Sequence, residues 1–161
     1  MTRTAIRCHP GTRCDTVTDM SGLRFLVSLV IVAPTWMCSP VASATPAAGV
    51  SAVVLSQATV DGYDYIMREI TIAPGGSTGW HWHRGRLYGV IKAGTLTHDT
   101  AQCTLDGLYN GGDPITEATG PDHVHIGRNL GDAPLVMQVL YINPAGSALS
   151  EDAPDPGCGY P

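Results

Sequence analysis

Short apolar runs in this chain end repeatedly at Gly, Pro, Asn or Asp, and this punctuation limits the possible folds more than any other feature. Strand-like runs at residues 65–72, 80–83, 87–92 and 134–142 each meet such a turn cluster within a few residues. No long stretch has the 3.6-residue periodicity of an amphipathic helix. The sequence therefore predicts an all-β domain, either a sandwich or a barrel.

The same pattern predicts how neighbouring runs are connected. Residues 87–92 and 95–98 flank the tight-turn dipeptide Ala93-Gly94, so we expect them to form a β-hairpin. Residues 47–60 are small and polar apart from one apolar clump, and we expect them to lead into a first strand.

An apolar run near the N-terminus predicts export. Residues 25–33 follow an arginine and precede the small-residue triplet Ala42-Ser43-Ala44, as in a secretory signal peptide. An anchoring helix is the alternative, but the run is shorter than the roughly 18 residues that span a bilayer, and Pro34 ends it. Cleavage after Ala44 gives a signal peptide of the usual length if Met20 is the true start. We therefore expect a protein that is secreted or exported across the cytoplasmic membrane, with no stable membrane anchor after cleavage.

Removal of residues 1–44 changes the charge and the cysteine content. The full chain carries 9 Lys+Arg and 14 Asp+Glu, for a net charge of −5, whereas residues 45–161 carry a net charge of −7. So acidic a domain lacks the positive charge needed to bind nucleic acid. Of the five cysteines, only Cys103 and Cys158 remain. They form an even pair suited to a disulfide in an oxidising compartment, with two free thiols as the alternative.

Five histidines fall between residues 81 and 125, a clustering that scattered surface histidines rarely show. Alternate residues of a β-strand project to the same face, so His81 and His83 point one way while Trp80 and Trp82 point the other. Two adjacent imidazoles suit a metal ion, although a single histidine is more often a core or surface residue. Trp82, together with Tyr88, is also a candidate for lining a substrate pocket, with burial in the core as the alternative.

A second His-x-His pair, His123 and His125, lies two predicted strands further along and could meet the first pair across a barrel interior. His125 is the better ligand candidate, because the turn at residues 120–122 could direct His123 outward. His98 is expected at the surface, at the end of its hairpin strand.

The spacing of these residues resembles the cupin superfamily of small β-barrels, whose members carry two short motifs. The first motif, G(X)5HXH(X)3,4E(X)6G, is matched by Gly75, His81, His83 and Gly94, with Leu87 at the position of the glutamate.

The second cupin motif, G(X)5PXG(X)2H(X)3N, is matched less closely. Gly112, Gly120, His125 and Asn129 occur in the right order, but Ala118 replaces the proline and two extra residues precede the histidine. The resemblance extends over residues 65–142, roughly two thirds of the expected mature chain.

The resemblance implies a jelly-roll barrel, or double-stranded β-helix, that follows a cleaved signal peptide. It also implies one divalent transition metal, Fe, Mn, Zn, Cu or Ni, bound by His81, His83 and His125, with His123 as a further candidate. Because Leu87 cannot ligate, positions would stay open for water, substrate or dioxygen. Cupins are frequently dimers through strand exchange, so a homodimer is a further implication. The expected organisation is a signal peptide at 1–44, a leader and first strand at 45–60, the barrel at 61–145 and a Pro/Gly-rich tail at 146–161.

Three functions are compatible with this pattern. The first is a metal-dependent oxidoreductase, of the dioxygenase type, or an isomerase acting on a small molecule. The second is a barrel that binds a metal or a small ligand without turnover. The third is a barrel without a metal, whose histidines are only polar groups in a pocket.

Overall fold

The computed structural model describes residues 44–160 and the backbone of two short N-terminal strands, β1 (Ala5–Cys8) and β2 (Cys14–Val17). These two strands pair antiparallel with each other. The apolar run and the cleavage triplet of the expected signal peptide lie outside the described residues, apart from Ala44. No helix long and apolar enough to cross a membrane occurs among the residues that the structure describes.

Residues 44–160 fold entirely into strands, turns and loops, as the all-β prediction requires. The strands are β3 (Ala48–Val60), β4 (Tyr63–Ser77), β5 (His81–Trp82), β6 (Arg86–Ala93), β7 (Thr95–Thr100), β8 (Leu105–Asn110), β9 (Pro114–Glu117), β10 (His125–Arg128), β11 (Leu135–Pro144) and β12 (Glu151–Asp152).

Antiparallel pairing connects these strands into one strongly curved sheet that forms a nearly closed barrel. The order along the sheet is β12-β5-β10-β4-β11-β6-β9, with β3 added to β4 and the β7–β8 pair added to β10. Alternate residues of β11, among them Leu135, Val139 and Tyr141, are buried because one face of the strand lines the barrel interior. They pack with Ile72 and Ile91 into the main core.

The expected hairpin between residues 87–92 and 95–98 does not form. β6 pairs with β9 and β11, whereas β7 pairs with β8 and β10, so the chain changes partners at Gly94. A Cβ at Gly94 would lie 2.9 Å from Cα of Leu135, and its φ of +77° favours glycine. The dipeptide is therefore a turn between different parts of the barrel. β8 is absent from the sequence prediction because its residues are mostly exposed and read as a loop.

A second, smaller core lies behind the two tryptophans of the His-x-His strand. Trp80 is fully buried with Ile126 and Ala153, and its ring stacks on Tyr160 at a centroid distance of 5.9 Å. The expected disulfide between Cys103 and Cys158 is present, and it ties the C-terminal segment to the β7–β8 turn. These contacts hold residues 153–160 against the back of the strands that carry the histidines.

Candidate metal centre

Strand pairing brings three histidines and one glutamate together inside the barrel. His81 on β5 is the direct antiparallel partner of His125 on β10, and Glu117 ends β9. His83 follows β5 and forms an isolated bridge with Thr119. One potential ligand atom from each of His81, His83, Glu117 and His125 lies within 4.8 Å of all the others. The structure thus brings together three of the histidines singled out in the sequence and adds a carboxylate.

Backbone carbonyls fix the orientation of all three imidazoles. Nδ1–H of His81 donates to the carbonyl of Gly79 (2.9 Å), that of His83 to Leu149 (2.7 Å) and that of His125 to His123 (2.8 Å). A carbonyl oxygen can only accept, so Nδ1 carries the hydrogen in each ring and Nε2 presents a lone pair. Such carbonyl contacts are what hold metal-ligating histidines in the binding tautomer.

In these tautomers the candidate metal-binding atoms that face each other, Nε2 of His83, Nε2 of His125 and Oε2 of Glu117, carry no hydrogen. Nε2 of His83 lies 2.8 Å from Oε2 of Glu117, and Nε2 of His125 lies 3.2 Å from the same oxygen. All three atoms are buried and lack a properly oriented hydrogen-bond partner. Lone pairs this close repel each other unless a cation, either a proton or a metal ion, lies between them. The donor set of three imidazole nitrogens and one carboxylate oxygen therefore fits a divalent transition metal.

Electrostatics favour the protonation states that bind a cation. Burial raises the pKa of the Glu117 carboxyl, but hydrogen bonds from His125, His83 and His98, when these imidazoles carry a proton on Nε2, lower it more, so the pKa lies well below its usual value. Burial lowers the pKa of His81 to about 3, and the neighbouring His125 and His83 add to this effect. Glu117 is thus held as a carboxylate and His81 as a neutral imidazole.

The expectation that His98 lies at the surface is wrong. His98 is 6% exposed, and its Nδ1 contacts Oδ2 of Asp106 at 2.9 Å while Nε2 lies 3.5 Å from Oε1 of Glu117. Burial lowers its pKa, but the negative charges of Glu117 and Asp106 outweigh burial and raise the pKa above its usual value. His98 is not at the end of a strand, because β7 continues to Thr100, and it lies opposite Gly127 of β10 with its side chain in the barrel interior.

The remaining sequence candidates lie outside the cluster. The side chain of His123 is exposed at the mouth of a cleft, and only its carbonyl contacts a ligand histidine. Trp82 packs on the smaller core, with the guanidinium of Arg84 over its ring at 5.4 Å. Tyr88 is 44% exposed and lines a separate surface cleft that also reaches Glu117.

Glu117 is the ligand candidate that the sequence analysis missed. Leu87 occupies the position of the cupin glutamate, is 4% exposed and packs in the main core. Glu117 lies directly opposite it on β9. One signal was present in the sequence. Glu117 directly follows the strand-like residues Ile115 and Thr116, whereas the acidic residues of the turn clusters are aspartates, so Glu117 was the carboxylate placed on a strand rather than in a turn.

A cleft of about 220 Å³ leads from the surface to this cluster. Glu117, His125, His98 and His123 line it together with Asp106. A ligand in the cleft would therefore contact two of the candidate metal ligands and the His98–Asp106 pair.

Several solved structures are similar to this chain in fold. A cupin-2 domain from Rhodospirillum rubrum aligns with a TM-score of 0.53 and 18% identity, over 66% of this chain and 66% of that chain. The polyketide cyclase RemF from Streptomyces resistomycificus aligns with a TM-score of 0.53 and 15% identity, over 70% of this chain and 79% of that chain. A recombinant oxalate oxidase in complex with glycolate aligns with a TM-score of 0.51 and 20% identity, over 62% of this chain and 53% of that chain.

These similarities establish the class of fold. No protein-family model matches the sequence, and no curated protein matches it. The barrel of residues 44–160 nevertheless has the cupin fold, as the two sequence motifs predicted.

Proposed function

We propose that the protein binds one divalent transition-metal ion through His81, His83, Glu117 and His125 and acts as a metal-dependent enzyme on a small molecule. The observation that carries the proposal is the set of opposed lone pairs at the centre of the cluster. Four protein ligands leave two coordination positions open on an octahedral ion such as Fe or Mn, as a catalytic site requires, whereas they would fill a tetrahedral Zn site. A bound divalent ion would supply a Lewis acid that polarises an oxygen atom of the ligand.

Access to the cluster favours an enzyme over a barrel that only stores a metal ion. The cleft of about 220 Å³ reaches Glu117 and His125 and carries the titratable pair of His98 and Asp106 beside them. A buried histidine within reach of a reacting group is a suitable proton donor or acceptor. The fold supports catalysis elsewhere, since two of the similar structures are an oxidase and a cyclase. Oxygenase or isomerase chemistry is the class that we propose.

Metal content tests the first half of the proposal. We expect the purified protein, after reconstitution with Fe, Mn, Zn, Cu or Ni and removal of free ion, to retain about one equivalent of one of these metals. His83→Ala should lose it while keeping the barrel folded, as judged by far-UV circular dichroism, and the exposed Lys92→Gln should behave as the wild type. Less than about a tenth of an equivalent of every metal would overturn the proposal.

Turnover tests the second half. Oxygen consumption by the Fe(II)-loaded protein with small diketones, thiols and phenolics, together with product analysis for isomerised substrate, should identify a reaction that His83→Ala abolishes. Stoichiometric binding without turnover across the panel would favour the alternative, a barrel that binds a metal or small ligand without catalysis.

We further propose that the domain works outside the cytoplasm. The Cys103–Cys158 disulfide supports this, because disulfides persist in oxidising compartments and are rare in reducing ones. The signal-peptide pattern of residues 25–44 supports it independently. N-terminal sequencing of the protein recovered from culture medium or the cell envelope should begin at Thr45. Recovery only of an uncleaved, cytoplasmic chain would contradict it.

A further inference from the structure

A second cavity reaches the candidate metal centre from a different direction. It has a volume of about 180 Å³, and His81 and His83 line it together with residues of β3, β4 and β11. Glu117 and His125 do not line it; they line the cleft described above. We call it the Arg68 cavity, defined by Val50, Ala52, Arg68, Ile70, Tyr141 and the two histidines.

Arg68 lies at an inward-facing position of β4. Ile70 and Ile72 follow it at intervals of two residues, and they are 6% and 0% exposed in the main core. The Nε atom of Arg68 is buried and has no hydrogen-bond partner. Among residues 44–160, none of the ion pairs involves Arg68.

Arg68 is half-buried, and its Nε atom is shielded from water. A counter-charge and hydrogen bonds normally compensate for the hydration that a charged group loses in such a position. The residues that line the cavity supply no carboxylate. A carboxylate ligand would supply the counter-charge and the hydrogen bonds that Arg68 lacks within this lining.

The lining also limits what the ligand can be. Guanidinium groups bind carboxylates through two parallel hydrogen bonds. Arg68 is the sole permanently charged side chain in the described lining, which suits a singly charged group. The Tyr141 hydroxyl contacts Arg68, from which it can accept a hydrogen bond while donating its own hydrogen to a ligand, whereas Val50, Ala52 and Ile70 suit a short apolar body.

We propose that Arg68 binds the carboxylate group of a small organic acid whose other end lies against His81 and His83. The placement of the other end of the acid beside a metal ion bound by His81 and His83 rests on the proposed function. Binding of the carboxylate by Arg68 does not rest on it, because the barrel itself forms the Arg68 cavity.

Propionate titration of the metal-free protein, followed by heteronuclear NMR, tests the proposal. We expect propionate to shift resonances of residues that line the Arg68 cavity saturably, and the neutral isostere propionamide to have no such effect. Arg68→Met should weaken propionate binding by at least about tenfold, whereas Lys92→Gln, which removes an exposed charge, should leave it unchanged. Arg68→Lys keeps the charge without the planar fork and should bind propionate more weakly than the wild type.

Stability measurements separate a ligand-binding arginine from a structural one. If Arg68 is kept for a ligand, Arg68→Met should unfold at an equal or higher denaturant concentration than the wild type. The proposal is overturned if propionate does not saturate in the millimolar range, if propionamide or sulfate binds equally well, or if Arg68→Met binds propionate like the wild type.

The same titration distinguishes failure of carboxylate binding at Arg68 from failure of metal binding at the histidines. His125→Ala removes a candidate metal ligand that does not line the Arg68 cavity, so it should lose metal binding but still bind propionate in the metal-free state, and Arg68→Met should bind the metal ion with nearly wild-type affinity. Propionate binding by a wild-type protein that retains no metal would overturn the proposed function and leave the role of Arg68 standing.

Discussion

Leu87 and Glu117 are direct partners in the antiparallel pairing of β6 with β9, so their side chains leave the sheet on the same face. Leu87 stands where the cupin motif has its glutamate, and Glu117 supplies a carboxylate from the neighbouring strand. A ligand position can thus move across one strand pair without leaving the site. With Glu117 on β9, the cluster has the same number of negative charges as it would have with a glutamate at position 87 on β6.

The cross-strand relationship predicts that the two positions can be exchanged. Glu117→Leu should lower the affinity for Zn(II), measured by competition with a chelator, by about 100-fold because the anionic ligand is lost. The double variant Leu87→Glu/Glu117→Leu should recover at least about tenfold of that loss, since the carboxylate re-enters on the same face. A double variant that binds no better than Glu117→Leu would show that the position on β9 is essential.

The contacts of His98 predict its titration in the metal-free protein. The pKa of His98 is raised, so the imidazole should become protonated at a higher pH than an ordinary histidine. Asp106→Asn should lower this pKa because it removes one of the two nearby negative charges. NMR titration of the imidazole Cε1–H resonance measures both values. An unchanged or higher pKa in Asp106→Asn would contradict the geometry.

His81 predicts a loss of stability of the metal-free protein in acid. Its pKa falls from 6.5 in the unfolded chain to about 3 in the fold, so between these values the unfolded state takes up the proton and the folded state does not. This residue therefore lowers the free energy of unfolding by up to about 1.4 kcal/mol for each pH unit below 6.5. Denaturant unfolding at several pH values should give a shallower decline for His81→Gln than for the wild type. Parallel declines would show that burial of His81 has no such effect.

The disulfide should contribute strongly to stability. Cys103 and Cys158 are 55 residues apart, and chain-entropy arguments assign about 4 kcal/mol to a loop of that size. Cys103→Ser/Cys158→Ser should lower the free energy of unfolding by this order in urea titrations, and reduction of the wild type should have the same effect. A change under about 1 kcal/mol would mean that the smaller core holds the C-terminal segment without the bond.

Local patterns predicted what depends on neighbouring residues in the sequence. Strand alternation put His81 and His83 on one face, and the parity of the cysteines after residue 44 indicated the disulfide. Glu117 was not predictable in the same way, because its position depends on the pairing of β9 with a strand more than twenty residues earlier. His98 was expected at the surface because it ended the expected hairpin strand, but β7 continues to Thr100 and pairs with β10. Arg68 also reads as an ordinary strand residue until the burial of Ile70 and Ile72 reveals which face is interior.

The hydrogen bond from His83 to Leu149 has a consequence for the order of events in folding. The partners are 66 residues apart, and two of the other candidate ligands, Glu117 and His125, come from strands that lie between them in the sequence. A nascent or partly folded chain therefore lacks the complete, oriented set of ligands that an ion needs for binding. The metal ion would bind only after the last strands have closed the barrel, so it would stabilise the folded protein rather than direct its folding.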